Sequence, residues 1–191
     1  MIDATLTRYR PADNPFASHR VETLPYRGEL PSRPELENRI DALGGRAAIV
    51  GPKGSGKTTL MEELARQFDG PVVTIRIPGS DPHPLRTVRA QLPNQIENLH
   101  SIFIDGAEQL GPLQWRHFLH STRHARRLVA TLHKPGRLPT LVNCATDIHL
   151  LRNLVSELTP TEPANLEEVY DRHNGNIRLC FRELYDGYAG R

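Results

Sequence analysis

The chain has 191 residues, and its 24 Lys or Arg nearly balance 22 Asp or Glu, which leaves a formal net charge of +2 at pH 7. This balance excludes a globally basic nucleic-acid or membrane-surface binder, so any basic surface has to be local, while the length suits one domain with a small appendage. Cys144 and Cys180 lack metal-ligand spacing, and no apolar run reaches the roughly 20 residues of a membrane helix, so we expect a cytoplasmic protein without a membrane span.

Residues 1–33 are predicted to form an extended arm that wraps the core, because prolines interrupt them repeatedly. These prolines are Pro11, Pro15, Pro25 and Pro31. A short helix is predicted from Pro34, with Ser32 as its cap and Gly44 as its stop. Its apolar face comprises Leu36, Ile40 and Leu43.

Short apolar runs then alternate with helical patterns, which predicts an α/β fold with a parallel sheet. The predicted strands are 47–50, 72–77, 102–104, 128–132 and 141–144. The predicted helices are 57–68, 84–92, 112–125, 147–158 and 176–187. A proline-containing break at 159–163 ends the predicted core of residues 34–158, and residues 159–191 are predicted to form a small helical lid.

A glycine-rich segment follows the first predicted strand. Its residues are Gly51, Pro52, Lys53, Gly54, Ser55, Gly56, Lys57 and Thr58, a full match to GxxxxGK[ST]. Such glycines permit positive φ angles, so that backbone N–H groups point at phosphate oxygens. Lys57 is expected to reach the β- and γ-phosphates, Thr58 to bind magnesium, and Thr59 to lie near the α-phosphate. The segment predicts a site for a nucleoside triphosphate with Mg²⁺.

A second motif, which contains an acidic residue, supports this prediction. The apolar run 101–104 ends at Asp105, the form of a Walker B strand whose carboxylate holds magnesium. Thr58 and Asp105 are therefore predicted to share the metal.

These motifs resemble those of the AAA+ ATPases and related P-loop proteins, including ATPases of the general secretion pathway. The resemblance runs from about Asn14 to Tyr185 and rests on GPKGSGKTT, IFIDGAEQL, LVATLH and HNGNIRLCFREL. It implies a three-layer P-loop fold with sheet order 5-1-4-3-2. It also implies ATP as the nucleotide and hydrolysis coupled to a conformational or assembly step.

One departure from the family pattern concerns the catalytic base. The acid that usually follows the Walker B aspartate is absent, because that position is Gly106. Glu108 is the nearest carboxylate that could polarise the attacking water, with a helix start or a surface pair as the alternative. Lys57, Asp105 and Glu108 are thus the predicted catalytic residues.

Two further positions match sensors of the family. Thr131 or His133, after the fourth strand, would contact the γ-phosphate or the water, or would serve only as a local hydrogen-bond partner. Arg178 stands in a GNxR stretch at 175–178, where the family's arginine approaches the triphosphate. The alternative is a turn at 174–175 followed by a solvated arginine.

The sequence gives weaker signals for the identity of the nucleotide base and of the binding partners. Residues 133–136 lack the aspartate of a guanine-reading motif, which favours ATP over GTP. Phe16 or Tyr26 would pack on adenine or, alternatively, within the protein. Trp115 would either anchor an interface or fill the core.

The basic segment 116–127 would contact a second copy, a protein or nucleic acid, or stay hydrated. It places His117, His120 and His124 on one predicted helical face. A metal site is not expected there, because no carboxylate or cysteine joins them and arginines crowd the same face.

An ATPase is therefore the predicted function. A nucleotide-dependent switch or scaffold with little turnover is the alternative, motivated by Gly106. A small-molecule kinase ranks third, since the predicted strand 72–77 has no acid to bind an acceptor.

Overall fold

A computed structural model describes residues 10–28, 30–93 and 100–189. The chain divides into two compact units. The sheet unit consists of residues 28–52 and 56–144, and the helical unit combines residues up to 27, residues 53–55 and residues from 145 onward. No helix within the described residues is both long enough and apolar enough to span a bilayer.

The sheet is parallel throughout, and its order is β2-β3-β4-β1-β5. Its strands are β1 (Arg46–Val50), β2 (Val72–Arg76), β3 (Ser101–Asp105), β4 (Arg127–Leu132) and β5 (Thr140–Asn143). The helices of the described residues are α1 (Ser18–Val21), α2 (Arg33–Ala42), α3 (Lys57–Arg66), α4 (Pro84–Gln91), α5 (Pro112–Ser121), α6 (Ile148–Leu158), α7 (Leu166–Arg172) and α8 (Ile177–Ala189). The predicted α/β class and the predicted strand order are confirmed.

Both faces of the sheet are covered by helices of the sheet unit. Ile102 and Ile104 of β3 belong to an apolar cluster on one face. This cluster also contains Val88 of α4 and Trp115 and Phe118 of α5. Phe103 points to the other face, where α3 packs, and its ring meets Phe68 edge-on at 5.3 Å. Alternate residues of one strand thus serve opposite layers, which explains why β3 is apolar at three successive positions, 102–104.

The structure answers two questions about α5, namely where Trp115 lies and where the helix ends. The Trp115 side chain is only 7% exposed and fills the core. The predicted helix over 112–125 is too long, because α5 ends at Ser121. Beyond that end the Thr122 hydroxyl donates to the Phe118 carbonyl at 2.9 Å, which satisfies a carbonyl of the last turn. His124 therefore lies outside the helix and does not share its face with His117 and His120.

The helical unit contains α1, α6, α7 and α8. Leu151 and Val155 of α6 pack with Val169 of α7 and Cys180 of α8. Because of this packing α6 belongs to the same compact unit as α7 and α8, whereas the sequence predicted a boundary after residue 158. Helix α7 was not predicted.

The predicted arm is only partly extended. Residues 1–9 lie outside the described residues, and α1 forms one helical turn within the arm. The Phe16 ring packs on Phe181, with centroids 6.1 Å apart, and edge-on to Tyr188 at 5.1 Å. Asn14 Nδ2 donates to the Tyr185 carbonyl at 2.9 Å. Phe16 thus shows the alternative of packing within the protein, while Tyr26 is half-buried.

Candidate nucleotide-binding site

The glycine-rich loop leads from β1 into α3. Gly54 and Gly56 have φ angles of 77° and 80°, so two of the three predicted glycines adopt a left-handed conformation. Gly51, the first residue after β1, does not, and its backbone still takes part in the hydrogen bonding of the sheet. Its N–H donates to the Leu132 carbonyl of β4 at 3.1 Å. The loop therefore turns only after the strand's hydrogen bonds end.

Lys57 begins α3, and its side chain is 8% exposed. Its Nζ donates to the carbonyls of Gly51 at 2.8 Å and Pro52 at 2.6 Å. The ammonium group is thus folded back over the start of the loop. A phosphate oxygen is a stronger acceptor than a neutral carbonyl for such a cation, so this lysine is placed to bind one.

Asp105, at the carboxyl end of β3, is held through both of its oxygens. Oδ2 accepts from the Thr58 hydroxyl at 2.8 Å, and Oδ1 accepts from the Thr131 hydroxyl at 2.5 Å. The register explains the second bond: Ile104 pairs with Ala130, so the residues that follow them lie side by side at the same sheet edge. Thr131 is thus a hydrogen-bond partner of Asp105, and its contact with a γ-phosphate or a water stays a prediction.

The pair of Thr58 and Asp105 suits a magnesium ion. Mg²⁺ prefers hard oxygen ligands, keeps several waters and is bound through few protein groups beside substrate phosphates. One hydroxyl and one carboxylate, 2.8 Å apart at the start of α3, provide that donor set. Thr58 and Asp105 are therefore residues that could hold the metal.

Gly106 explains why the family's usual acid is missing after Asp105. Its φ angle is 77°, and a Cβ built there would lie 2.4 Å from the carbonyl oxygen of Ile77. Its N–H donates to the Thr131 hydroxyl at 3.0 Å. A side chain at this position would therefore clash with the backbone of the segment that follows β2.

Glu108 lies in a 3₁₀ turn, Ala107–Gln109, before α5. Its Oε1 is 3.1 Å from His133 Nε2, just after β4, so the structure brings together two residues that the sequence singled out separately. Its Oε2 is buried and has no hydrogen-bond partner among the described residues. Because a buried carboxylate oxygen normally has a partner, this one is suited to accept a hydrogen bond from a water or a ligand.

Arg137 was missed in the sequence. Its Nη1 donates to the Ala107 carbonyl and its Nη2 to the Leu110 carbonyl, each at 2.8 Å. The guanidinium also lies over the Trp115 ring, 5.6 Å from the centroid. It therefore holds both ends of the turn that carries Glu108. Carbonyl partners belong to every residue type, so no sequence pattern pointed to this contact.

A comparison with protein families agrees with this geometry. The family model described as AAA domain matches residues 43–177, more than half of the chain. The chain belongs to the AAA domain family. Members of this family are generally ATPases, and the chain is accordingly a nucleotide-binding P-loop domain. A search of curated proteins gives no match, so the resemblance to general secretion pathway ATPases stays a prediction.

In the helical unit of this AAA domain, Gly54 lies against the start of α8. A Cβ at Gly54 would be 2.0 Å from Asn176 Oδ1. Asn174 and Gly175 both have positive φ angles, as the predicted turn requires. Arg178 is exposed in the first turn of α8, and its contact with a triphosphate stays a prediction. The same holds for Thr59 and the α-phosphate.

Proposed function

We propose that this AAA domain binds ATP with Mg²⁺, hydrolyses it, and uses the cycle to drive a conformational or assembly step. The observation that carries the proposal is the hydrogen bond between Thr58 and Asp105, together with the burial of Lys57, the residue that precedes Thr58. The pairing of a Walker A hydroxyl with a Walker B carboxylate is the arrangement that holds magnesium in P-loop proteins.

Each residue then has a distinct task in binding. The backbone N–H groups of residues 53–56 and the amino terminus of α3 face the phosphates. Lys57 exchanges its two carbonyl acceptors for phosphate oxygens. Thr58 and Asp105 would hold Mg²⁺, which would neutralise phosphate charge when it is bound. Thr131 keeps the Asp105 carboxylate in the orientation that this needs.

Glu108 is the proposed general base. Its unpartnered Oε2 orients a water and accepts its proton, while His133 holds Oε1. Arg137 positions the turn without touching the reacting atoms, since its hydrogen bonds among the described residues go to backbone carbonyls at the two ends of that turn. This arrangement places a carboxylate at the sheet edge although residue 106 is glycine.

One observation favours a second candidate, a nucleotide-dependent switch with little turnover. Glu108 stands three residues after Asp105, and one of its oxygens is engaged by His133. If that contact keeps the carboxylate away from the water, nucleotide binding persists while hydrolysis is slow.

Binding is tested by calorimetry with ATP and Mg²⁺ on Lys57→Ala. A hydrogen bond to a charged group contributes about 1.5–3 kcal/mol, so we expect the variant to bind roughly 10–150-fold more weakly. Arg66→Ala is the matched control, because it removes one positive charge from the exposed far end of the same helix. Equal affinities of wild type and Lys57→Ala would refute the proposed site.

Hydrolysis is tested by steady-state phosphate release on Glu108→Gln. We expect a loss of about 10²–10⁴-fold in kcat with unchanged affinity for ATP, as for a general base. An active wild type that is insensitive to this substitution excludes Glu108 as the base. A wild type that binds ATP with Mg²⁺ but releases no phosphate is the switch.

A further inference from the structure

Surface arginines of this chain fall into two groups by partner. Many pair with carboxylates: Arg27 with Glu157, Arg33 with Glu37, Arg76 with Glu62, Arg152 with Glu162, and Arg172 with Glu183. Four exposed arginines on α4, on α5 and just after α5 form no ion pair with a carboxylate of the described residues. They are Arg86, Arg89, Arg116 and Arg123.

The absence of acids extends over the whole region in the sequence. Residues 82–93 contain two arginines and no Asp or Glu, and residues 109–146 contain six Lys or Arg and no Asp or Glu. The chain as a whole carries 22 acidic residues, so its near-neutral charge conceals a strongly uneven distribution. Positive charge on these two helices is therefore not compensated by their own residues.

Two of the arginines contact imidazoles instead of carboxylates. Arg89 Nη2 lies 3.1 Å from His117 Nε2, and Arg123 Nη1 lies 2.9 Å from His120 Nε2. A guanidinium has only donors, so the imidazole nitrogen has to accept and brings no negative charge. The first contact also joins α4 to α5, which makes their exposed cations one continuous surface.

A cavity at the same place supports this continuity. It has a volume of about 280 Å³, and its lining includes Arg86 of α4 and Gln114 of α5. We define the α4–α5 surface by its exposed basic residues. These are Arg86, Arg89, Arg116, His117, His120 and Arg123.

We propose that the α4–α5 surface binds the phosphate backbone of nucleic acid. All four of its unpaired cations are arginines, whose planar fork matches a phosphate in a bidentate way. Trp115 and Phe118 of α5 are 7% and 1% exposed, so these aromatic rings cannot stack on bases. The surface should therefore contact backbone and not read sequence.

A nucleic acid fits this surface better than an acidic protein does. Protein interfaces have an apolar, often aromatic centre that excludes water. Among the described large apolar side chains that are exposed, Leu113 is the one on α4 or α5. A single leucine beside four arginines does not form such a centre. The inference is independent of ATP hydrolysis, because none of these residues belongs to the proposed nucleotide site.

The charge predicts how strongly salt weakens binding. Four arginines that neutralise four duplex phosphates give a slope of log K against log salt of about −3.6, from about −0.9 per phosphate. Affinity should then fall about 150-fold between 50 and 200 mM KCl. Each arginine that is removed should lower the magnitude of this slope by about 0.9.

The test is fluorescence anisotropy with labelled 30-base-pair duplex DNA of arbitrary sequence, measured over that salt range. Arg89→Ala/Arg116→Ala should lower the magnitude of the slope by about 1.8, twice the single-arginine value. Arg152→Ala/Arg172→Ala is the matched control, since it removes the same charge from arginines that already have carboxylate partners. Duplex RNA and single strands, as parallel probes, identify which nucleic acid the surface prefers.

Several results would overturn the proposal. The first is that wild type binds none of these probes at 50 mM KCl. The second is that the two double variants have equal effects on the slope, because binding would then depend only on the net charge of the protein. Preferential binding of polyglutamate would point to an acidic protein. Self-association of wild type that Arg116→Ala abolishes in sedimentation would assign the surface to a second copy of the chain. Circular dichroism shows that each variant is folded, and the single variants repeat the slope measurement where a double variant is not.

Discussion

The missing acid after Asp105 leads to a stability prediction at Gly106. We consider Gly106→Ala, the smallest change that adds a Cβ. The new atom would lie 2.4 Å from the Ile77 carbonyl oxygen, a distance at which backbone has to move. It would also force a non-glycine residue to a φ angle of 77°.

These two effects can be separated by a second glycine of the same unit. Gly44 has a φ angle of 75°, and a Cβ built there meets nothing within 4 Å. Gly44→Ala should therefore cost only the left-handed conformation, about 1–2 kcal/mol. Gly106→Ala should cost that amount plus about 1–3 kcal/mol for the forced backbone shift, so about 2–5 kcal/mol in all.

Urea unfolding followed by tryptophan fluorescence measures the difference. Trp115 is the single tryptophan of the chain and lies in the core of the sheet unit, so its signal reports that unit. We expect Gly106→Ala to unfold at a clearly lower urea concentration than Gly44→Ala. Equal midpoints for the two variants would refute the argument that the Ile77 carbonyl, and not the φ angle alone, requires glycine here.

Two further predictions concern side chains that act through a neighbour. Arg137→Ala should lower kcat without changing the affinity for ATP, because the turn that carries Glu108 is released. Arg137→Lys should not restore kcat, since an ammonium group lacks the planar fork that spans two carbonyls. A change in the affinity for ATP with unchanged kcat would contradict this role. The Arg127 guanidinium, 3% exposed, donates to both carboxylate oxygens of Asp41 at 2.7 Å and holds the pKa of that carboxyl below its usual range. The stability that this pair adds over Asp41→Asn is therefore present above the unfolded pKa of about 3.9 and is lost as pH falls through the lower folded pKa. The difference between the urea midpoints of wild type and Asp41→Asn must therefore be smaller at pH 3 than at pH 7.

The parts of the fold that were predicted correctly depend on local patterns. Strand β1, the loop and α3 form one continuous motif, and the apolar run that ends at Asp105 marks β3 without any knowledge of its neighbours. Helix α7 lacks such a signal. It has seven residues, of which Leu166 and Val169 are the buried ones, and it is stabilised by packing within the helical unit. A helix this short is not stable from helix propensity alone, so its sequence pattern did not predict it.

The candidate site depends on the same kind of local pattern. Lys57, Thr58 and Asp105 could be proposed from the sequence because they belong to recognisable motifs. Arg137 was not found, because its hydrogen-bond partners are backbone carbonyls. The contact between Glu108 and His133 also escaped prediction, since their proximity depends on the adjacent positions of β3 and β4 in the sheet.

The position of Glu108 follows from the backbone at Gly106. A left-handed residue directly after β3 turns the chain into the 3₁₀ turn at once, beneath the carbonyl of Ile77. A carboxylate at residue 106 is therefore incompatible with this geometry, and the first acid after the turn begins is Glu108. Its side chain returns toward the end of β4, where it meets His133. A carboxylate displaced by two positions is thus what this backbone allows, and its proposed role in hydrolysis depends on the direction of Oε2 and not on the identity of the residue that follows Asp105.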